Sequence, residues 1–176
     1  MTENIDPLKV ELSLEIAAEH NQGKPTSIVT AKKLDDYARR DTDAPLDFEI
    51  ERILRSNEQV RSIYFQMKAG QSTAYSELAA AASSGGFPRR ELDGFELNVS
   101  QDGEFVFVVL QRRNANDTDL KMPRELEIRD EKGEGGAVML PDEVQGKQLI
   151  ALSVSEEKDA PLIAALKKVK TRLFLK

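Results

Sequence analysis

The chain of 176 residues has no cysteine, no tryptophan and a single histidine, His20. Each absence removes a class of chemistry. Without cysteine there is no disulfide framework, no thiolate nucleophile and no cysteine-held zinc or iron–sulfur centre. With one imidazole, a Ser–His–acid triad would depend on His20 alone, and no Gly-x-Ser-x-Gly elbow accompanies it. A zinc site at His20 would have to recruit Glu15 or Glu19, and a competent site needs a constellation, so His20 reads as an ordinary solvated histidine before a turn. Long apolar runs are missing too. None approaches the roughly 18–20 residues that span a bilayer. The longest, 105–110, has strand length. Residues 1–7 are acidic and lack the basic start and apolar centre of a secretory signal. The expectation is a soluble, cytoplasmic protein with no membrane partner.

An excess of basic residues is also lacking. Lys+Arg number 25 against 31 Asp+Glu, for a net charge of −6. Up to residue 88 the counts are 10 against 14, and beyond it 15 against 17. Neither half carries the footprint of generic nucleic-acid binding, so no direct nucleic-acid contact is expected. What is present is a 40 % apolar share, enough to bury a core. The length suits one domain or two small ones.

The patterning changes character at 83–88, Ser-Ser-Gly-Gly-Phe-Pro. Before it the apolar spacing is mostly helical, and after it mostly strand-like. Leu8, Val10, Leu12, Leu14 and Ile16 alternate with polar residues, the strand period, while Leu8, Leu12 and Ile16 also fit a helix; strand is the preferred reading. A helix is expected over 28–40, capped by Thr26 or Ser27, with Ala31, Leu34 and Ala38 on one face beside Tyr37. Asp43 is expected to cap the next helix, with Pro45 in its first turn and Leu46, Ile50, Ile53 and Leu54 in its stripe. Asn57 interrupts, and Val60, Ile63, Tyr64 and Met67 resume the period until Gly70. The alanine-rich stretch 73–82 predicts one more helix.

Beyond 88, short strands are expected at 95–99, 105–110, 126–128, 137–140, 149–154 and 173–175, with a helix over 161–169. The stretch 105–110 is apolar on both faces, which predicts a central strand covered on both sides. The expected class is α+β: a small N-terminal helical region over 1–88, followed by an antiparallel β-sandwich-like region over 89–176.

No catalytic, cofactor or metal constellation emerges. Gly133-Glu134-Gly135-Gly136 leads into a strand, without the Lys and Ser/Thr of a phosphate loop, and reads as a hairpin turn. The carboxylates Asp35, Asp36, Asp41, Asp43, Asp47, Glu49 and Glu51 are interleaved with Arg39, Arg40, Arg52 and Arg55, as on a solvated helix face. The basic clusters at 89–90, 112–113 and 167–172 read as strand edges or helix rims. Phe48, Phe65 and Tyr75 fall outside the main stripes; several aromatics gathered on one surface would mark a partner groove.

Leu34-Asp35-Asp36-Tyr37, an acidic loop, and then Leu46, Ile50, Glu51, Ile53, Leu54, Asn57, Val60 and Tyr64 in order resemble the helical sigma-binding region of anti-sigma factors. Leu140-Pro141, the stretch 146–152 and Ala160-Pro161-Leu162 are similar to the β-domain of anti-sigma-K-type proteins. The resemblance covers most of 30–165. It implies a non-enzymatic regulator that sequesters a sigma-type transcription factor through Leu46, Phe48, Ile50, Ile53, Leu54 and Tyr64. The chain departs from the zinc-binding members, having no His-x-x-x-Cys-x-x-Cys, so kinship would be to a zinc-free branch. Where that family usually has a transmembrane helix, this chain has only 73–88. Two other classes stay open: a structural or assembly subunit of the secretion or phage type, which predicts a homo-oligomer, and a carboxylate- and metal-dependent enzyme.

Overall fold

The computed structural model describes residues 29–76, 86–117 and 119–176. The segment 8–16, His20 and the expected Thr26–Ser27 cap lie outside the described residues. Two compact units divide the chain, Met1–Gln71 and Ser72–Lys176. The described residues form helices and two antiparallel sheets, the α+β class that the patterning predicts.

The first unit holds α1 (Ala31–Arg39), α2 (Phe48–Ser56) and α3 (Glu58–Gln71). Thr30 caps α1, its Oγ1 accepting the Lys33 N–H at 3.2 Å. Leu34, Tyr37 and Ala38 recur one turn apart and are buried. The α2 cap is Asp47, not Asp43: one oxygen of Asp47 accepts the N–H groups of Glu49 at 3.0 Å and Ile50 at 3.2 Å. A capping side chain reaches only the first turn's N–H groups, so the residue directly before Phe48 takes the role, and Asp43 and Pro45 stay in the preceding loop. Asn57 explains the interruption. It ends α2, and its side chain then caps α3 by accepting the Gln59 and Val60 N–H groups at 3.0 and 3.1 Å. Arg61 reaches back to the Leu54 carbonyl at 2.7 Å, placing a cation at the negative end of α2. Both α1 and α2 pack on α3, and Leu34, Ile50, Leu54, Val60 and Tyr64 form the core. The Tyr64 ring lies 6.1 Å from Tyr37 and 5.9 Å from Phe65.

The second unit begins with β1 (Ala74–Ser76), inside the stretch expected to be helical. Cross-strand pairing overrides the local preference of alanine. Tyr75 lies opposite Phe174, their rings stacked at 5.2 Å. The rest of that expected helix, from 77 on, lies outside the described residues. Then follow β2 (Arg90–Leu92), β3 (Phe95–Asp102), β4 (Phe105–Arg112), β5 (Glu125–Arg129), β6 (Gly135–Met139), β7 (Lys147–Ser153), α4 (Ala160–Leu166) and β8 (Arg172–Leu175). One sheet has the order β1-β8-β5-β6 and the other β2-β3-β4-β7. Both sheets and α4 feed one core, with Phe95, Leu97, Val106, Val108 and Leu110 from one sheet, Leu126, Ile128, Leu173 and Leu175 from the other, and Leu162 and Leu166 from the helix.

The strand β4 is central, between β3 and β7, as its composition predicts. Its two faces are not equally covered. Val106, Val108 and Leu110 are buried, whereas Phe105 is 48 % exposed and Phe107 and Val109 are half-buried. The outer face of this sheet therefore does not have the cover that an all-apolar strand suggests. Apolar side chains on its neighbours, such as Leu149 opposite Val109, share the exposure instead.

Candidate protein-binding surface

The Asp47 cap fixes where α2 starts and hence which way its side chains point. Ile50 and Leu54, one turn apart, go into the core at 1 % exposure each. Phe48 is then carried outward and stands 81 % exposed, with Leu46 at 47 % beside it. These two residues, Glu51, Arg52, Arg55 and Ser56 line an open groove of about 420 Å³. Phe48, Arg52 and Arg55 are spaced i, i+4 and i+7, so one helix face presents an aromatic ring followed by two guanidinium groups.

The wall of this groove is held by a polar network. Glu51 is buried, and the Tyr37 hydroxyl donates to it at 2.5 Å, tying α1 to α2. Arg55 lies 3.9 Å from the other oxygen of Glu51. Lys33 sits between Glu49 at 2.9 Å and Asp47 at 3.3 Å, and its hydrogen bonds to both carboxylates raise its pKa. The Ile50 N–H, with help from Lys33 and the Glu49 N–H, holds the Asp47 carboxyl below its ordinary value. The ammonium of buried Lys68 donates to the Ala38 carbonyl at 3.1 Å, joining α3 to α1. These contacts fix the backbone beneath the exposed residues.

The six residues expected to bind a partner fall into two groups. Leu46 and Phe48 are exposed, and Ile53 is half-buried. Ile50, Leu54 and Tyr64 are core residues at 1 % exposure and support the surface from below. Of the aromatics outside the stripes, Phe65 is buried and Tyr75 belongs to β1, so Phe48 alone of the three stands on this surface. In sequence, Arg52 and Arg55 look like parts of a generic charged face. Their spacing from Phe48 was the available signal.

The basic clusters of the second unit have mostly structural partners. Arg90 is fully buried, not an edge charge: its guanidinium donates to the carbonyls of Thr171 at 2.6 Å and Lys168 at 2.5 Å. Burial lowers its pKa to about 10. Arg112 pairs with Glu143 at 2.8 Å and donates to the Leu120 carbonyl. Lys168 pairs with the buried Asp130, which also accepts the Lys132 and Glu134 N–H groups at 2.8 Å each. Such buried, hydrogen-bonded charges hold loops in place.

No known protein family, curated protein or solved structure matches this chain. No group of three metal-ligating side chains occurs among the described residues. None of the described helices is long and apolar enough to cross a membrane.

Proposed function

We propose that this chain is a non-enzymatic, cytoplasmic regulator that binds a protein partner through α2, with Leu46 and Phe48 as apolar anchors and Arg52 and Arg55 as a cationic rim. The observation that carries the reading is Phe48, a large aromatic residue 81 % exposed at the wall of an open groove. A single exposed apolar side chain is ordinary; an aromatic beside a second apolar residue and two arginines has the composition of a binding hot spot. The partner segment that fits carries an apolar side chain next to carboxylates. Arg52 makes no ion pair among the described residues, and a carboxylate would supply one.

A sigma-type transcription factor is the first partner to test, on the resemblance of 34–64 to the helical region of anti-sigma factors. Titration calorimetry of the chain against such factors from its source cell is expected to give saturable one-to-one binding. Phe48→Ala is expected to weaken it by at least about tenfold, the loss typical of a hot-spot residue. Wild-type binding that Phe48→Ala leaves unchanged would move the site elsewhere, and the absence of binding to every such factor would remove this partner class.

A further inference from the structure

The two sheets of the second unit end in the edge strands β1, β6, β2 and β7. Three of these edges are guarded. The strands β1 and β2 are three residues long, and β2 carries the exposed Glu91 at its centre. Shortness and charge both discourage pairing with another chain. The β7 edge is closed at each end. Lys147 exchanges backbone hydrogen bonds with Val144 at 2.8 and 3.1 Å, and the Ser153 N–H donates to Asp159 at 2.8 Å.

The remaining edge, β6, has no such device. Its sequence is Gly-Gly-Ala-Val-Met, without charge or proline. Its hydrogen-bond parity is set by two contacts beyond its ends. The Asp130 N–H donates to the Glu134 carbonyl, and the Leu140 N–H donates to the Arg124 carbonyl, each at 2.8 Å. Even-numbered residues therefore face β5. Gly135, Ala137 and Met139 turn their N–H and C=O groups outward, and those groups have no partner among the described residues. Met139 is 53 % exposed.

The two ends of this strand differ in charge. At the Met139 end a groove of about 530 Å³ opens, with three cations, Arg112, Lys121 and Arg124, and two carboxylates, Asp142 and Glu143, in its walls. Lys121 and Arg124 make no ion pair among the described residues, and Arg112 in the same groove is already neutralised by Glu143. At the Gly135 end, the turn from β5 carries Asp130, Glu131 and Glu134 with one lysine, Lys132, among them, and Glu131 lies 3.6 Å from Lys170.

We propose that β6 pairs antiparallel with β6 of a second copy of this chain, about a two-fold axis at Ala137. In this register Ala137 meets the same residue of the other copy, and Gly135 meets Met139. Every outward N–H then finds an outward C=O, so the edge is complementary to itself. The two-fold also carries the acidic turn of each copy to the groove of the other, where Lys121 and Arg124 stand. The glycines at 135 and 136 place no side chain in the way of the approaching backbone. The pairing joins two four-stranded sheets into one. It involves a different unit from α2 and does not rest on the partner reading above.

Sedimentation equilibrium of the full chain over a wide concentration range tests it. The expected result is a reversible monomer–dimer equilibrium that weakens as salt is raised. Ala137→Pro removes the outward donor at the axis and leaves the β5 ladder intact, since proline is tolerated on an edge where its missing N–H would face solvent. It is expected to raise the dimer dissociation constant by at least about tenfold, with the circular dichroism of the wild type retained. Met139→Lys, which puts a charge on the edge, is the second variant and decides the matter if the proline variant does not fold. A chain that is monomeric at every concentration overturns the proposal, whether or not it captures a foreign strand. So does a dimer whose affinity a folded variant leaves unchanged.

Discussion

The Arg90 guanidinium donates to the Thr171 carbonyl at 2.6 Å, and neither residue is exposed to solvent. The same group holds the Lys168 carbonyl, so one side chain from β2 orders the chain segment between α4 and β8. Arg90→Met keeps most of the volume but leaves both carbonyls without this donor. It is expected to lower the stability of the second unit by about 3 kcal/mol, since hydrogen bonds to a charged group are worth roughly 1.5–3 kcal/mol each and are partly replaced on relaxation. Arg90→Lys retains the charge but not the planar fork, and a smaller loss is expected. Urea denaturation of the two variants checks both.

Asp130 makes the fold sensitive to acid. Burial pushes its carboxyl up, but the hydrogen bond from Lys168 and the N–H groups of Glu134 and Lys132 outweigh burial and leave the pKa below its ordinary value. A carboxyl lowered in the folded state stabilises the protein above its unfolded pKa, and that stability is lost as pH falls through the folded one. Asp130→Asn is expected to cost about 2 kcal/mol at neutral pH. The cost shrinks in acid, where the wild type has lost the same charge. Urea midpoints measured at neutral and acid pH should converge for the two proteins.

The position of the α2 cap is open to direct test. Asp47→Ala removes the acceptor for the Glu49 and Ile50 N–H groups and should destabilise the first unit by about 1 kcal/mol. Asp43→Ala should lie within about 0.5 kcal/mol of wild type, as surface substitutions usually do. Thermal melts that ranked the two the other way would put the cap at Asp43.

Phe48 and Leu54 lie on one short helix and should behave in opposite ways. Leu54 is 1 % exposed, and Leu54→Ala should cost about 3 kcal/mol through lost burial and the cavity left behind. Phe48 is 81 % exposed, and Phe48→Ala should change stability by less than about 0.5 kcal/mol. Calorimetric melts separate them, and they also establish that a binding loss in Phe48→Ala is not a folding defect.

Gly135 and Gly103 both have positive φ, +136° and +57°, yet differ in surroundings. A Cβ on Gly135 would lie 2.0 Å from the Ile128 carbonyl oxygen, whereas one on Gly103 meets open space. Gly135→Ala is expected to cost at least about 3 kcal/mol, because backbone must move as well as strain. Gly103→Ala should cost only about 1 kcal/mol, that of placing alanine in the left-handed region. Chemical denaturation of the pair measures the difference.

Much of the element order could be read from local patterning, because burial on one face imposes a period on the residues that make it. The stripes through Leu34 and Ala38, Ile50 and Leu54, and Val60 and Tyr64 are such records. So is the start of β3, where Phe95 and Leu97 are buried; β5 alternates in sequence too, but all five of its residues are buried. The miss at Ala74–Ser76 has a physical origin: three residues cannot display a period, and their partner, β8, is at the far end of the chain. The exposure of one face of β4 is not legible in sequence for a related reason. An apolar face is equally apolar in sequence whether another layer covers it or only its neighbours in the same sheet shield it.

Local residue pattern alone was enough for the α+β class, the absence of cysteine chemistry, the helix break at Asn57 and the apolar stripe and aromatic residue of α2. These depend on residue type and short spacing, which tertiary contacts do not alter. Long-range packing is what turns Ile50, Leu54 and Tyr64 inward and Phe48 outward, makes Arg90 an interior tie and leaves β6 as the unguarded edge. Each of these depends on which distant segments come together. Thr171 selects Arg90, and β5 pairs with one side of β6 and leaves the other open.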